Sequence, residues 1–234
     1  MLEAIILVGG KGTRLKSISG DTPKPLVEIG GKPFLYWILE SLQEQGFSRV
    51  VLATGYRSDF LKNKILTDCP VNIELIFSEE KAPLGTGGAI KSAFKFVSSN
   101  RVLVMNGDSY CDINFRTALE SGQKIDKFIT MIGVHVDNVE RYGAIEVDGQ
   151  GNLLRMTEKG SRGPGYINSG IYVVDKLVIE AVPNESFSFE GEVLSNSLSD
   201  ISCYMTEDYF VDIGVPVDYK LANKYFYEKN SISR

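Results

Sequence analysis

Along the first half of the chain, short apolar runs alternate with segments whose apolar residues recur at helical spacing. Ala4–Val8 is continuously apolar and reads as a strand buried on both faces. Leu35–Gln45 reads as a helix stopped by Gly46. Val50–Ala53 is a second strand, and Ser58 has the chemistry of an N-cap for a helix through Ile65. Val71–Phe77 is a third strand, and a helix from about Gly88 to Val97 follows the glycine-rich stretch Leu84–Ala89. Arg101–Met105 is a fourth strand, ending in Asn106-Gly107-Asp108. Strands alternating with helices in this way predict an α/β protein with a mainly parallel sheet covered on both faces.

The rhythm changes in the second half. Lys127–Val136, Ala144–Val147 and Leu153–Met156 read as strands, separated by turn signals such as Asp148-Gly149 and Gln150-Gly151-Asn152. Ser161-Arg162-Gly163-Pro164-Gly165 reads as a loop and Ser169–Val174 as another strand. In the acidic, Ser-rich stretch Asn184–Asp200, Phe187, Phe189, Val193, Leu194 and Leu198 suggest a short helix packed by one face. Those apolar positions could cover the chain's own sheet or serve a homo-oligomer interface. Val215–Tyr227 reads as a closing helix that begins at Pro216. No repeat, low-complexity tract or linker is visible, so one domain over 1–234 is expected.

Composition narrows the partners. The chain has 234 residues, 43% of them hydrophobic, and a net charge of −5. That charge argues against nonspecific binding to nucleic acid or to an acidic membrane surface. Basic groups for an anionic substrate would have to be concentrated locally. The three cysteines, Cys69, Cys111 and Cys203, are widely spaced and form no CxxC pair, which suits a reducing compartment. His135 is the only histidine, so a two-His metal site is excluded; within Met131–Val136 it reads as a structural strand residue. No apolar run approaches ~20 residues, and no basic segment with an apolar core marks a signal peptide. The expected location is the cytoplasm.

The first strand ends in Gly9-Gly10-Lys11-Gly12-Thr13-Arg14. Glycines directly after a first strand commonly let backbone N–H groups approach a phosphate. The P-loop pattern fails, because Thr13-Arg14 follows Gly12 where Lys-Ser/Thr is needed. The dinucleotide fingerprint fails too, because Leu15 stands where the third glycine belongs. A tight turn without a ligand would explain the glycines alone. Lys11, Arg14 and Lys24 shift the balance, since three cations lie close together in an acidic chain. Arg can fork onto phosphate oxygens and Lys acts as a point charge. Pro23 and Pro25 stiffen the backbone around Lys24, which taken alone would be a solvated loop lysine.

The segments Gly9–Leu15 and Pro23–Pro33 together resemble the signature of the sugar-1-phosphate nucleotidyltransferases. Leu84–Ile90, Asn106-Gly107-Asp108, Tyr142-Gly143, Glu158-Lys159, Asn168-Ser169-Gly170 and Val211–Ala222 are similar to later motifs of that family, in the same order. The resemblance implies a Rossmann-like three-layer α/β/α fold with a mixed, mainly parallel sheet. It implies a nucleotide-binding half over about 1–110 and a sugar-phosphate-binding half over about 111–234. It also places this chain in the compact group that lacks a C-terminal β-helix domain. The implied reaction is attack by a sugar 1-phosphate on the α-phosphorus of a nucleoside triphosphate, with Mg²⁺ as cofactor.

The resemblance also assigns residues. Asp108 and Asp212 become the Mg²⁺ ligands, although alone they read as a turn residue and a helix cap. Arg14 would stabilise the departing pyrophosphate and Lys24 would sit near the α-phosphate. Lys159 would bind the sugar phosphate, and Glu158, Asn168 and the backbone of Gly143 would contact the sugar. Leu7, Gly9, Gly10, Gly12, Thr13, Gly85, Thr86 and Gly87 join Arg14 and Asp108 around the nucleotide. Glu79 or Glu80 could favour guanine, with Glu79 assigned here to the site, because guanine offers two adjacent donors to a carboxylate. Within the compact group the chain most resembles guanylyltransferases acting on D-glycero-D-manno-heptose 1-phosphate. Uridylyltransferases, mannose 1-phosphate guanylyltransferases, a catalytically silent nucleotide-sugar-binding regulator and a nicotinamide-dependent oxidoreductase are the competing readings.

Overall fold

The computed structural model describes residues 1–10, 15, 18, 20–124 and 127–232. In chain order the strands and helices begin with β1 (Leu2–Leu7), the short hairpin β2 (Glu28–Ile29) and β3 (Lys32–Pro33), and α1 (Phe34–Glu44). Then come β4 (Phe47–Thr54), α2 (Ser58–Asp68), β5 (Glu74–Glu79), α3 (Gly85–Ala93), β6 (Arg101–Asn106), β7 (Ser109–Cys111) and α4 (Phe115–Lys124). The second half adds β8 (Ile129–Val136), β9 (Ile145–Val147), β10 (Leu153–Met156), β11 (Gly165–Asp175) and α5 (Lys176–Glu180). It closes with β12 (Ile201–Thr206), β13 (Phe210–Asp212) and α6 (Pro216–Ile232).

Seven strands form the central sheet in the order β12-β8-β11-β6-β1-β4-β5. β1 pairs in parallel with β4 and β6, β4 with β5, and β12 with β8. β11 runs antiparallel to both of its neighbours, β6 and β8. The sheet is therefore mixed and mainly parallel. Alternate residues of β1 feed opposite faces, as a two-residue period requires. Ala4 and Ile6 join one buried cluster with residues of α1, α2, α4 and α6, while Ile5 joins the other with residues of α3 and α5. Helices thus cover both faces, giving the three-layer Rossmann-like α/β arrangement.

Several boundaries differ from expectation for local reasons. Ser58 is the first helical residue rather than the cap: Arg57 precedes it in the left-handed region at φ 57°, and Ser58 Oγ donates to Glu79. β5 starts at Glu74 and not Val71, where its register with Arg49 of β4 begins. α3 starts at Gly85, earlier than expected, because the amides of Gly87 and Gly88 both reach Phe187 O. Its end passes into a 3-10 turn over Phe94–Phe96. β11 is far longer than Ser169–Val174 and takes in Gly165, expected in a loop, because Gly165 pairs with Val136. The short helix expected in Asn184–Asp200 is a π-helical turn over Phe189–Leu194, followed by a 3-10 turn over Leu198–Asp200. Phe187, Phe189, Val193 and Leu194 are buried in this chain's own core, and Leu198 is partly buried against it. Among the described residues, no helix is long and apolar enough to cross a membrane.

Glu3 anchors β1 at the end away from its glycines. Its buried carboxylate accepts from the amides of Ser98 (3.0 Å) and Ser99 (2.7 Å), and pairs with Arg49 at 2.9 Å. Burial pushes its pKa up, but the hydrogen bonds from Ser99 and Ser98 outweigh this and hold it below the ordinary 4.5. A carboxylate depressed on folding stabilises the protein above its unfolded pKa and loses that contribution as the pH falls. Glu3→Gln is expected to lower stability by about 2 kcal/mol at neutral pH, read by urea titration. The gap to wild type should narrow in acid below about 4.5.

Candidate active site

Parallel strands place their carboxyl ends on one edge of the sheet, where α/β proteins bind ligands. β1, β4 and β6 end together here. The amide of Val8 donates to Ala53 O at 2.9 Å, and that of Gly107 donates to Leu7 O at 2.9 Å. A side chain at Gly107 would collide there, its Cβ lying 2.7 Å from Val8 Cγ1. A cavity of about 550 Å³ opens over these strand ends, lined by Leu7, Gly9, Gly10, Lys24, Asn106 and Asp108 among others. Gly10 faces open space, so its backbone is accessible to a ligand.

Lys24 lies on a short 3-10 turn between Pro23 and Pro25 and is only 8% exposed. Its Nζ donates to Asp108 Oδ2 at 2.5 Å and to Asp212 Oδ1 at 3.4 Å. Backbone pairing brings the two aspartates together. β7 and β13 are antiparallel with Asp212 opposite Ser109, and the Ile213 amide donates to Asp108 O at 3.0 Å. Burial, reinforced by the charge of Asp108, raises the pKa of Asp212, and Lys24 only partly offsets this. Two carboxylates facing one ammonium leave a residual negative charge.

That donor set fits a divalent cation that takes one or two carboxylates and completes its shell with phosphate oxygens and water. No group of three or more His, Cys, Asp or Glu residues suited to a metal occurs among the described residues.

Helix α6 braces this pair of strands. Lys229 Nζ contacts Asp112 Oδ1 at 3.0 Å and Tyr110 Oη at 2.9 Å, and Tyr225 Oη donates to Asp112 at 2.8 Å. The Phe226 ring stacks on Trp37 at 4.6 Å and meets Tyr110 edge-on. Asn223 accepts from the Gly30 amide at 2.9 Å, so the same helix holds the β2–β3 hairpin that follows Lys24.

Of the two glutamates the sequence offers for the base, Glu79 is the one assigned to the site, but it is Glu80 that lines the cavity. Glu79 is exposed and takes the Ser58 hydroxyl. Glu80 lines the cavity and accepts from the Leu84 amide at 3.0 Å. Gly85 and Thr86 line it as expected, but Gly87 does not: a Cβ there would run into the Phe187 ring, so this glycine serves packing. Glu190, which sequence reasoning missed, also lines the cavity and takes the Thr86 hydroxyl at 2.5 Å. Its only signal was its place in the acidic stretch after Asn184.

The residues assigned to the sugar lie on the second half of the sheet. Asn168 sits where the pairing of β11 with β8 is irregular; its Nδ2 donates to Tyr172 Oη at 2.8 Å. Gly170, at φ 75°, lies directly against the Asn106 side chain, which joins this irregular segment to the cavity wall. Gly143, at φ 79°, packs on Thr157 O, just before Glu158 and Lys159. Both of those side chains are exposed, and neither has a hydrogen bond or ion pair among the described residues. Arg141 pairs with Asp218 of α6 at 2.6 Å, tying this region to the helix that follows Asp212. Gly12, Thr13 and Arg14 fall outside the described residues.

A glycine loop over strand ends, beside a cation held between two carboxylates, is the equipment of phosphoryl-group chemistry. The chain matches the nucleotidyl transferase family over residues 3–229 and belongs to it. It is 41% identical over 221 residues to the D-glycero-alpha-D-manno-heptose 1-phosphate guanylyltransferase of Campylobacter jejuni, covering 93% of this chain and 97% of that protein. It is 36% identical over 226 residues to the enzyme of the same name from Aneurinibacillus thermoaerophilus, covering 95% and 97% respectively. The crystal structure of HddC from Yersinia pseudotuberculosis complexed with GMP-PN superimposes with a TM-score of 0.89 at 43% identity. That alignment covers 97% of this chain and all of the other.

The raised pKa of Asp212 has a consequence for stability. A carboxyl whose pKa rises on folding stabilises the protein only while protonated, so its contribution falls as the pH rises through the folded pKa. Asp212→Asn is therefore expected to melt higher than wild type in metal-free buffer at neutral pH. The difference should close in acid, as read by circular dichroism.

Proposed function

We propose that this chain transfers GMP from GTP to D-glycero-α-D-manno-heptose 1-phosphate, with Mg²⁺ as cofactor. The products are GDP-heptose and pyrophosphate, and GDP-heptose serves surface polysaccharide synthesis. The observation that carries the reaction type is Lys24 held between Asp108 and Asp212, with Lys24 and Asp108 lining a cavity of about 550 Å³. Similarity at nearly full length to two heptose 1-phosphate guanylyltransferases supports the choice of base and sugar. Mannose 1-phosphate is the second reading, since the Drosophila melanogaster mannose-1-phosphate guanylyltransferase catalytic subunit beta is 33% identical over 223 residues. We treat 1–234 as one catalytic unit working where GTP is made, in the cytoplasm, with the nucleotide held by about 1–110 and the sugar phosphate by about 111–234.

The reaction is a single displacement. A phosphate oxygen of the sugar 1-phosphate forms a bond to the α-phosphorus of GTP, and the bond from that phosphorus to the bridging oxygen breaks. The electron pair leaves with pyrophosphate. The attacking phosphate is already an anion, so no strong base is needed, and the chain's one histidine lies in β8 against Tyr166. The barrier is the approach of two anions, which positioned cations and donors lower. Lys24 neutralises charge at the α-phosphate, and Arg14 does so on the departing pyrophosphate. Lys159 binds the incoming phosphate, while Glu158, Asn168 and the backbone of Gly143 orient its sugar. Asp108 and Asp212 would hold Mg²⁺, which when bound supplies further neutralisation of phosphate oxygens. Glu80 is the base reader: guanine presents N1–H and N2–H₂ side by side, a match for one carboxylate.

Pyrophosphate release from a panel of triphosphates and sugar 1-phosphates tests this reading. Wild type should react best with GTP and the heptose 1-phosphate, and Asp108→Asn should lose about 100-fold or more in kcat. Preference for another sugar or base would move the chain to a sister activity. Nucleotide-sugar binding without turnover would favour the silent regulator. Glu80→Gln should weaken GTP by about tenfold while leaving UTP nearly unchanged; an equal loss for both would remove Glu80 from base selection.

A further inference from the structure

Glu190 is an acidic side chain in a cavity meant for anions. It lines the wall beside Thr86. Its Oε2 takes the Thr86 hydroxyl at 2.5 Å and lies 3.4 Å from Ser188 Oγ. Its other oxygen, Oε1, has no partner, and no cation pairs with the carboxylate among the described residues.

The backbone around it is tightly built. Ser188 caps the π-helical turn by accepting from the Gly191 amide at 3.0 Å, and the Phe189 amide donates to Thr86 Oγ1 at 2.9 Å. Single π-helical turns are rare and recur at functional sites. The Phe189 ring is fully buried and meets Tyr172 edge-on at 5.1 Å. Tyr172 in turn accepts from Asn168. Glu190 therefore stands between the nucleotide loop at Thr86 and the Asn168 segment of β11.

A carboxylate in a cavity that takes polyanionic substrates is unfavourable unless the ligand also brings hydrogen-bond donors to it. In this reaction the groups that do so are hydroxyls, on the ribose of GTP and on the ring of the sugar 1-phosphate. Resting on the guanylyl-transfer reading, we propose that Glu190 recognises a substrate sugar ring. Its free carboxylate oxygen accepts from a ring hydroxyl while Thr86 holds the other oxygen in place.

The test is equilibrium binding to the full chain and to Glu190→Gln, which keeps the shape and an acceptor for Thr86 but replaces the free oxygen by an amide donor. If the ring is ribose, the variant binds GTP about tenfold more weakly. Whichever of 2′-deoxyGTP and 3′-deoxyGTP lacks the contacted hydroxyl then binds wild type and variant alike. If the ring is the sugar phosphate, the loss appears with the heptose 1-phosphate, vanishes with one ring-deoxy analogue, and spares GTP. An equal loss across all these ligands, or no loss with either substrate, overturns the proposal. Should Glu190→Gln fail to fold, Glu190→Asp, which draws the same charge back by one methylene, reads out in the same way. Because the assay is binding, wild type that binds both substrates without transferring GMP would count against the guanylyl-transfer reading alone.

Discussion

A buried ammonium between two carboxylates is the constraint around which the rest of this structure is arranged. Lys24 cannot be so nearly dehydrated without anionic partners, and Asp108 and Asp212 cannot approach each other without a cation. The three residues come from widely separated parts of the chain, so the fold must deliver them. The parallel pairing of β1 and β6 brings Asp108 to the sheet edge, and the β7–β13 pair sets Asp212 beside it. Helix α6 then holds that pair through Lys229, Tyr225 and Phe226, and holds the hairpin after Lys24 through Asn223.

The cavity inherits its chemistry from this arrangement. Its charged end combines one cation with residual negative charge, which suits phosphates arriving with a divalent cation. Its lining also includes Glu80 and Glu190, side chains with acceptors to offer a base edge and a sugar ring. Both carboxylates are fixed by the glycine-rich segment before and within α3: Glu80 by the Leu84 amide, Glu190 by Thr86. The acidic stretch after Asn184 packs on that segment through Phe187, whose carbonyl accepts from the amides of Gly87 and Gly88.

The sheet's parallel half was legible because each strand is a short apolar run ended by glycine or a polar turn. The Asp108 end of β6 and the glycines after β1 could be located from that pattern. Glu79 and Glu80 could not be told apart in the sequence, because one position along an extended strand reverses the face on which a side chain lies. Glu79 is in register with Thr54 as the last residue of β5, and Glu80 is the first to turn over the cavity. Glu190 was hidden for a different reason. Its role depends on contact with Thr86, more than a hundred residues away, and on a π-helical turn that has no sequence period of its own. Gly163 and Pro164 do lie in a loop, and the start of β11 was obscured because Gly165 continues that loop-like run although it pairs with Val136.

In the proposed reaction Lys24, Asp108 and Asp212 position the phosphates and leave no task for a side-chain nucleophile, so the central claim is a single direct displacement at phosphorus. The most direct measurement is the stereochemical course of transfer from GTP carrying one sulfur, in a single configuration, on the α-phosphorus. One displacement predicts inversion of configuration in the GDP-sugar product. Retention would reveal two successive displacements through a covalent guanylyl-enzyme, and would contradict this account.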